Sequence, residues 1–474
     1  MNAMLPTTES SIALKSRVVC PNCWEGFSPD AALWIAQHPD LLGDPRLGAD
    51  HPQRFLPTRF DLSGAAIDAK GFPCHELACP KCHLRVPRAC FELDSFFLSI
   101  LGNPACGKSF FIAAMTWRLR TLLSKEFALS FVDADALLNY RLQQNESRLF
   151  LNPEPNALVN IDKTETTGDL YYTVNYGGQS VQYLRPFIFS VHPLEWHPLH
   201  ERSAKAGKVV CLYDNAGESF LPGAETASSP VTRHLAASRA ILFLFDPTQD
   251  LRYRHLCQGK TTDPQMVERS QRMQRESAIR QETILVEAAQ RARRFAGLPQ
   301  NAKHRRPLIV VVTKYDAWSA LLGPGRLRNP WRAKSDGTIS AVCYEEIAKM
   351  SQHLRELLRR VSPEIVAAAE GFANEVLYVP ISATGCGPEI DPLSNAQGFR
   401  PKNLKPMWVE VPLLYLMCRH MGGLVGYWRE KEGKSRSNVP GEGVCAHPTQ
   451  SLAYPSPPPT PSPASPPRTQ TQGD

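Results

Sequence analysis

The stretch that most constrains this chain is FFLSILGNPACGKSFFIAAMTWRLR, residues 96–120. Its opening apolar run, rich in aromatic and aliphatic members, predicts a short buried strand. The run ends at Gly102, and Gly102, Asn103, Pro104, Ala105, Cys106, Gly107, Lys108 and Ser109 fit G-x-x-x-x-G-K-[ST] at every fixed position. Residues 110–120 hold no Gly or Pro and predict the helix that must follow. Glycines let a backbone close around phosphate oxygens with its N–H groups inward, and a helix N-terminus adds free N–H groups and partial positive charge. In that arrangement Lys108 is expected to reach the β and γ phosphates, and Ser109 to ligate Mg²⁺. A nucleotide site is therefore the first expectation, weighed against a Gly-rich turn that holds nothing. Cys106, inside the loop, reads as a small filler rather than a redox handle.

Around this motif the bounds are wide. A chain of 474 residues can hold two to four domains and an ordinary core. Its 43% hydrophobic and 21% charged content is that of a globular protein, which excludes a fibrous or wholly disordered chain. The net charge of +7 permits an acidic partner without demanding one. Residues 1–19 carry no sustained apolar run and no segment approaches membrane-spanning length, so neither an export signal nor a membrane span is expected. The cytoplasm is the expected compartment. Thirteen cysteines in such a chain point to metal binding or plain burial rather than to disulfides.

Four of those cysteines are patterned. Cys20-Pro-Asn-Cys23 and Cys79-Pro-Lys-Cys82 are two C-P-x-C turns, each of which brings two thiolates to one face. Together they predict a closed four-sulfur zinc site, structural because no position stays open for water. Cys74, His75 and His83 crowd the second pair, and one of them could substitute as a ligand. Residues 1–17 read as a disordered leader and 18–91 as a zinc ribbon. Trp24, Phe27, Trp34, Phe55 and Phe60 mark a structured insertion within the ribbon. The ribbon is expected to touch the domain that follows.

That domain is expected over residues 92–430. Residues 127–140 read as helical, and 145–182 as a polar switch-like segment in which Thr164, Thr166 or Thr167 could meet Mg²⁺. Residues 183–191 and 208–213 predict strands, the second running into Asp214-Asn-Ala-Gly217-Glu218. An acidic residue there can hold Mg²⁺ through water, and Gly217 leaves an N–H free for the γ phosphate. A strand at 240–245 precedes a long helix at 263–295, whose arginines alternate with glutamates and read as a solvated face. A strand at 307–312 delivers Thr313-Lys314-Tyr315-Asp316. Helices at 341–360 and 363–372 lead to a strand at 376–381 and Ser382-Ala383-Thr384, with a closing helix at 406–421. Pro, Ser and Thr dominate residues 433–474, which predict a disordered tail.

Strands alternating with helices imply an α/β fold, a mostly parallel sheet whose ligands bind beyond the carboxyl ends of the strands. With marked loops GNPACGKS, DNAG, TKYD and SAT in that order, the chain resembles the P-loop GTPases over residues 92 to about 425. It looks most like the bacterial TRAFAC-clade GTPases that carry an N-terminal zinc ribbon, which are encoded in multi-gene systems proposed to act in conflict or defence. The resemblance implies a Ras-like fold, binding of GTP or GDP with Mg²⁺, and a protein partner such as an activating subunit. It implies that Asp316 accepts from guanine N1 and N2, that Lys314 lies along the base, and that Ser382 and Ala383 belong to the loop meeting guanine O6. Lys108 would stabilise charge developing on the phosphates. Two departures stand out. Thr313 replaces the commoner Asn, which removes an amide that braces the phosphate loop. Glu218 replaces the Gln that orients water, so unassisted hydrolysis is expected to be slow. Two rival readings remain: a scaffold that binds nucleotide without turnover, and a nucleic-acid-binding ATPase, against which Asp316 argues.

Overall fold

Every position of AILFLF and LIVVV is buried, and strands so uniformly apolar need cover on both faces. They lie inside a seven-stranded sheet in this computed structural model, which describes residues 14–161, 171–215, 217–220, 233–267, 280–323, 327–333, 339–391 and 397–428. Thr164, Thr166, Thr167, the leader up to residue 13 and the tail at 433–474 lie outside the described residues.

The strands are β1 (Asp94–Gly102), β2 (Leu129–Asp133), β3 (Phe187–Pro193), β4 (Lys208–Asp214), β5 (Ala240–Phe245), β6 (Leu308–Val312) and β7 (Val376–Pro380). Their spatial order is β2-β3-β4-β1-β5-β6-β7. From β4 to β7 all neighbours are parallel, while β3 runs antiparallel to β2 and β4. The chain leaves β1 for one side of the sheet and later returns to its other side, which makes the carboxyl end of β1 a switch point where ligands bind in open α/β sheets.

Among the described residues, six longer helices flank the sheet: α1 (Lys108–Phe127), α2 (Ala136–Phe150), α3 (Gln281–Phe295), α4 (Tyr344–Val361), α5 (Pro363–Phe372) and α6 (Val411–Arg419). The alternation of β1 divides the interior. Phe96, Leu98 and Ile100 join a core with α1 and α6. Leu101 faces the other way, into a second core that holds α3 and α5. Phe97, on that same face, packs with Ile188, Val209, Cys211 and Tyr213 against the N-terminal cysteine-rich segment.

Several expected elements end elsewhere, for local reasons. Residues 127–140 are not one helix: Ala128 takes a left-handed conformation (φ 50°) and stops α1, β2 follows, and the Asp135 side chain accepts from the Leu137 and Leu138 N–H groups to start α2. The strand expected at 183–191 is two, because Pro186 cannot donate to a ladder. Gln179–Leu184 instead pairs with Tyr171–Tyr176 as a separate hairpin. Arg280 is extended (φ −66°, ψ 130°), so α3 starts only at Gln281, and before it Pro264–Val267 is a separate helical turn. Ser340–Val342 is a strand paired with Trp331–Ala333, which delays α4 to Tyr344. Met407 and Ser382 exchange backbone hydrogen bonds, so the closing helix begins at Val411. The arginine face of the 263–295 segment is not uniformly solvated. Arg291 is buried, donating to Glu287 and to the Ser219 carbonyl at 2.6 Å.

Candidate functional site

The parallel strands β1, β4, β6 and β7 bring the four marked loops to one edge of the sheet. The first runs from the end of β1 into α1, with Gly107 as N-cap at φ 90°, a conformation that costs glycine little. Ala105 is also left-handed (φ 59°). The Lys108 ammonium is buried beneath this loop and donates to the carbonyls of Gly102 (2.9 Å) and Asn103 (3.0 Å). Ser109 follows, half-buried in the first turn of α1. Burial pushes the Cys106 thiol up, so it stays a neutral filler.

The second loop leaves β4, whose Asp214 lies opposite Ile100 of β1 and is buried. Gly217 packs directly on the first loop. A Cβ there would stand 2.6 Å from the Gly102 carbonyl oxygen and 2.7 Å from the Pro104 nitrogen. Only glycine lets the two loops approach so closely. The Glu218 side chain lies outside the described set.

The third and fourth loops meet the first at a pocket of about 200 Å³. Ala105, Cys106 and Gly107 line it from the first loop, Thr313 and Lys314 from the third, and Ala383 and Thr384 from the fourth. The Thr313 hydroxyl donates to the Phe245 carbonyl at 3.3 Å, so it is turned toward β5. Lys314, left-handed at φ 55°, pairs with buried Asp246 at 2.6 Å. Both carboxylate oxygens of Asp316 are buried, with the Ser382 side chain as a neighbouring donor, and Asp316 is not among the residues that line the pocket. Burial pushes the Asp316 carboxyl up, with Ser382 offsetting part of the effect and the charge of Asp263 adding to it. A buried carboxylate short of donors costs several kcal/mol, roughly, unless a ligand supplies them. Ser382 itself accepts from the Gly385 N–H at 2.7 Å and so shapes the fourth loop.

Sequence reasoning missed part of this site. Asn160, Gln397, Gly398 and Phe399 form its far wall, and Val159 and Phe399 are bridged by two backbone hydrogen bonds. Asp263 abuts Gly387, and Gln249 reaches the first loop. These residues are far from the motifs in sequence and carry no spacing signal.

The four sulfurs of Cys20, Cys23, Cys79 and Cys82 lie within 4.8 Å of one another, all buried. Cys20 and Cys82 are 3.8 Å apart, and Cys23 and Cys79 3.7 Å. A tetrahedral ion with bonds of about 2.3 Å needs sulfur edges of about 3.8 Å. Each turn sits between two short paired strands, and the residue after its second cysteine (Trp24, His83) is left-handed. Backbone N–H groups of Asn22 and Lys81 donate to Cys20 and Cys79, as ligating thiolates require. Burial pushes the Cys20 and Cys82 thiols up, while hydrogen bonds from Cys20 and the other cysteines hold the Cys79 thiol down. The cluster is compatible with structural zinc. Cys74 and His83 are engaged elsewhere, with Asp68 and Asp44, and His75 is not in the cluster.

This turn also touches the second loop. Trp24 Nε1 donates to the Tyr213 hydroxyl (3.0 Å), which donates to the Pro21 carbonyl (2.6 Å). Tyr213 stacks on His234, and His234 contacts the Asn215 amide at 2.5 Å.

No protein-family profile matches the chain. Among curated proteins it is similar to a Mycolicibacterium smegmatis protein that carries the provisional name ESX-1 scaffolding and assembly protein SaeC. The two are 23% identical over 252 residues, 48% of this chain and 57% of that one. The chain thus spans less than two thirds of that relative's length. Among the described residues no helix is long and apolar enough to cross a membrane.

Proposed function

We propose that this protein is a guanine-nucleotide-binding switch of Ras-like P-loop type, with a zinc ribbon docked beside the loop that would answer to the γ phosphate. The observation that carries the reading is the pocket shared by loops one, three and four, with the Asp316 carboxylate buried in the helical turn that follows Thr313 and Lys314 of its lining. The Watson–Crick edge of guanine offers two adjacent donors, where adenine offers a donor beside an acceptor. The strand order and the contact of Gly217 with Gly102 and Pro104 support the same reading.

Each group has a role in it. The N–H groups of residues 105–109 and the Lys108 ammonium would bind the phosphates and stabilise charge that develops there. Ser109 and Asp214 would hold Mg²⁺, which neutralises phosphate charge when bound. Lys314 and Ala383 would flank the base. With Glu218 in place of a water-orienting Gln, turnover is slow without a partner. Cytoplasmic residence fits such a switch.

A second reading, a scaffold that binds nucleotide without turnover, is favoured by the name of the M. smegmatis relative, which speaks of assembly. In both readings the output is a protein partner. Nucleic acid is disfavoured because Arg291 and Arg293 spend their guanidinium groups on internal carbonyls. The test is Lys108→Ala, which is expected to lower GTP affinity at least about tenfold through loss of a charged contact. Unchanged affinity would remove the phosphate-site assignment.

A further inference from the structure

We infer that Gln249 is a positioning residue that braces the phosphate loop from the base side, standing in for the amide that Thr313 lacks. The inference rests on the guanine-nucleotide reading above and names what holds that site in shape. Gln249 ends a short turn after β5, Pro247–Gln249, that Asp246 caps by accepting from the Thr248 N–H at 2.9 Å. Its side-chain amide makes two bonds to the phosphate loop. Nε2 donates to the Pro104 carbonyl at 2.9 Å, and Oε1 accepts from Asn103 Nδ2 at 2.8 Å.

The turn is itself held on two sides. Gln281 grips the Asp246 backbone, accepting from its N–H (2.8 Å) and donating to its carbonyl (2.9 Å). Lys314 of the third loop pairs with the Asp246 carboxylate at 2.6 Å and donates to Thr248 Oγ1 at 3.2 Å. One polar chain therefore runs from the base loop through Asp246 and Thr248 to Gln249 and the phosphate loop. Thr313 takes no part in it, because its hydroxyl is bonded to Phe245.

The brace has a directional consequence. A trans peptide sets its C=O and N–H on opposite sides. Drawing the Pro104 carbonyl to Gln249 therefore turns the Ala105 N–H away from Gln249. A loop fixed in this way loses less freedom when an anion binds, so removing the brace raises the rate at which the ligand leaves.

The test uses the full chain and two readouts. In nucleotide-free protein, Gln249→Ala is expected to speed hydrogen exchange at amides 105–108 about tenfold, with the ribbon and α3 unchanged. With mant-GDP and Mg²⁺, the same variant is expected to release the probe about tenfold faster. Adding Thr313→Asn to Gln249→Ala restores an amide near the loop and should recover part of the lost residence time, whereas adding Thr313→Ala should not. Unchanged exchange and release in Gln249→Ala would overturn the inference, and so would equal release from the Asn and Ala double variants. If the wild-type protein binds no mant-GDP, the functional reading fails, and the exchange experiment still decides the brace.

Discussion

Gly217→Ala tests the contact between the second loop and the first. The backbone at Gly217 lies outside the left-handed region, so the added methyl acts through crowding alone. Its Cβ would stand 2.6 Å from Gly102 O and 2.7 Å from Pro104 N and Cδ. Ordinary contacts start near 3.4 Å. The neighbours are mostly backbone, so the second loop must retreat by about 0.7 Å, and a hydrogen bond of about 2.9 Å from the Gly217 N–H would stretch past 3.5 Å and be lost. A bond to a charged acceptor contributes about 1.5–3 kcal/mol, or roughly 10–100-fold in affinity. That loss falls on a γ phosphate and not on a diphosphate. The assay is competition of a non-hydrolysable GTP analogue and of GDP against mant-GDP. The expected result is weakened triphosphate binding with GDP affinity kept to within about threefold. Equal losses for both ligands, or none, would refute the placement of Gly217.

Three further outcomes follow from the same structure. The purified chain should contain one zinc per molecule by elemental analysis. Chelation or Cys79→Ser should lower the melting temperature by more than about 5 °C, because the ribbon shares a core with β1, β3 and β4; a metal-free protein of unchanged melting temperature would contradict this. Burial holds the Asp316 carboxyl above the usual value near 3.9. Its contribution to the stability of the free protein is thus fully present below that value and lost as pH rises through the higher folded one. Guanine donors favour the charged form, so GDP affinity should fall as pH drops below the folded value, and Asp316→Asn should flatten that dependence. An equal pH slope in the variant would exclude Asp316 from base recognition. Finally, Gly385→Ala should destabilise the fourth loop, since its Cβ would collide with the Lys405 carbonyl oxygen at φ 73°; unchanged proteolysis of residues 382–388 would count against it.

The sequence reaches furthest where chemistry is written in short spacings. The strand and helix around GNPACGKS, the two C-P-x-C turns and the strands that carry DNAG, TKYD and SAT are all legible, because each depends on residues within a few positions of one another. Bounds set by distant partners were not. Nothing local tells that Ala128 ends α1 so that β2 can pair with β3, or that Arg280 stays extended while Gln281 grips Asp246. Arg291 reads as surface among charged neighbours, yet the Ser219 carbonyl, 72 residues away, accepts a hydrogen bond from its guanidinium. Gln249 is an unremarked glutamine in a turn until the fold sets it against Asn103 and Pro104. The far wall of the pocket is illegible for the same reason: Val159 and Phe399, far apart in the sequence, are paired only by the tertiary fold.

The central claim is tested most directly by measuring the affinities of GTP, GDP and ATP for the purified full chain with Mg²⁺, with phosphate release followed in the same samples. The account predicts that both guanine nucleotides bind at least about 100-fold tighter than ATP, as expected where a buried carboxylate must be met by two donors, and that phosphate release is slow. ATP binding as tightly as GTP would contradict it and remove Asp316 and its neighbours from the base site.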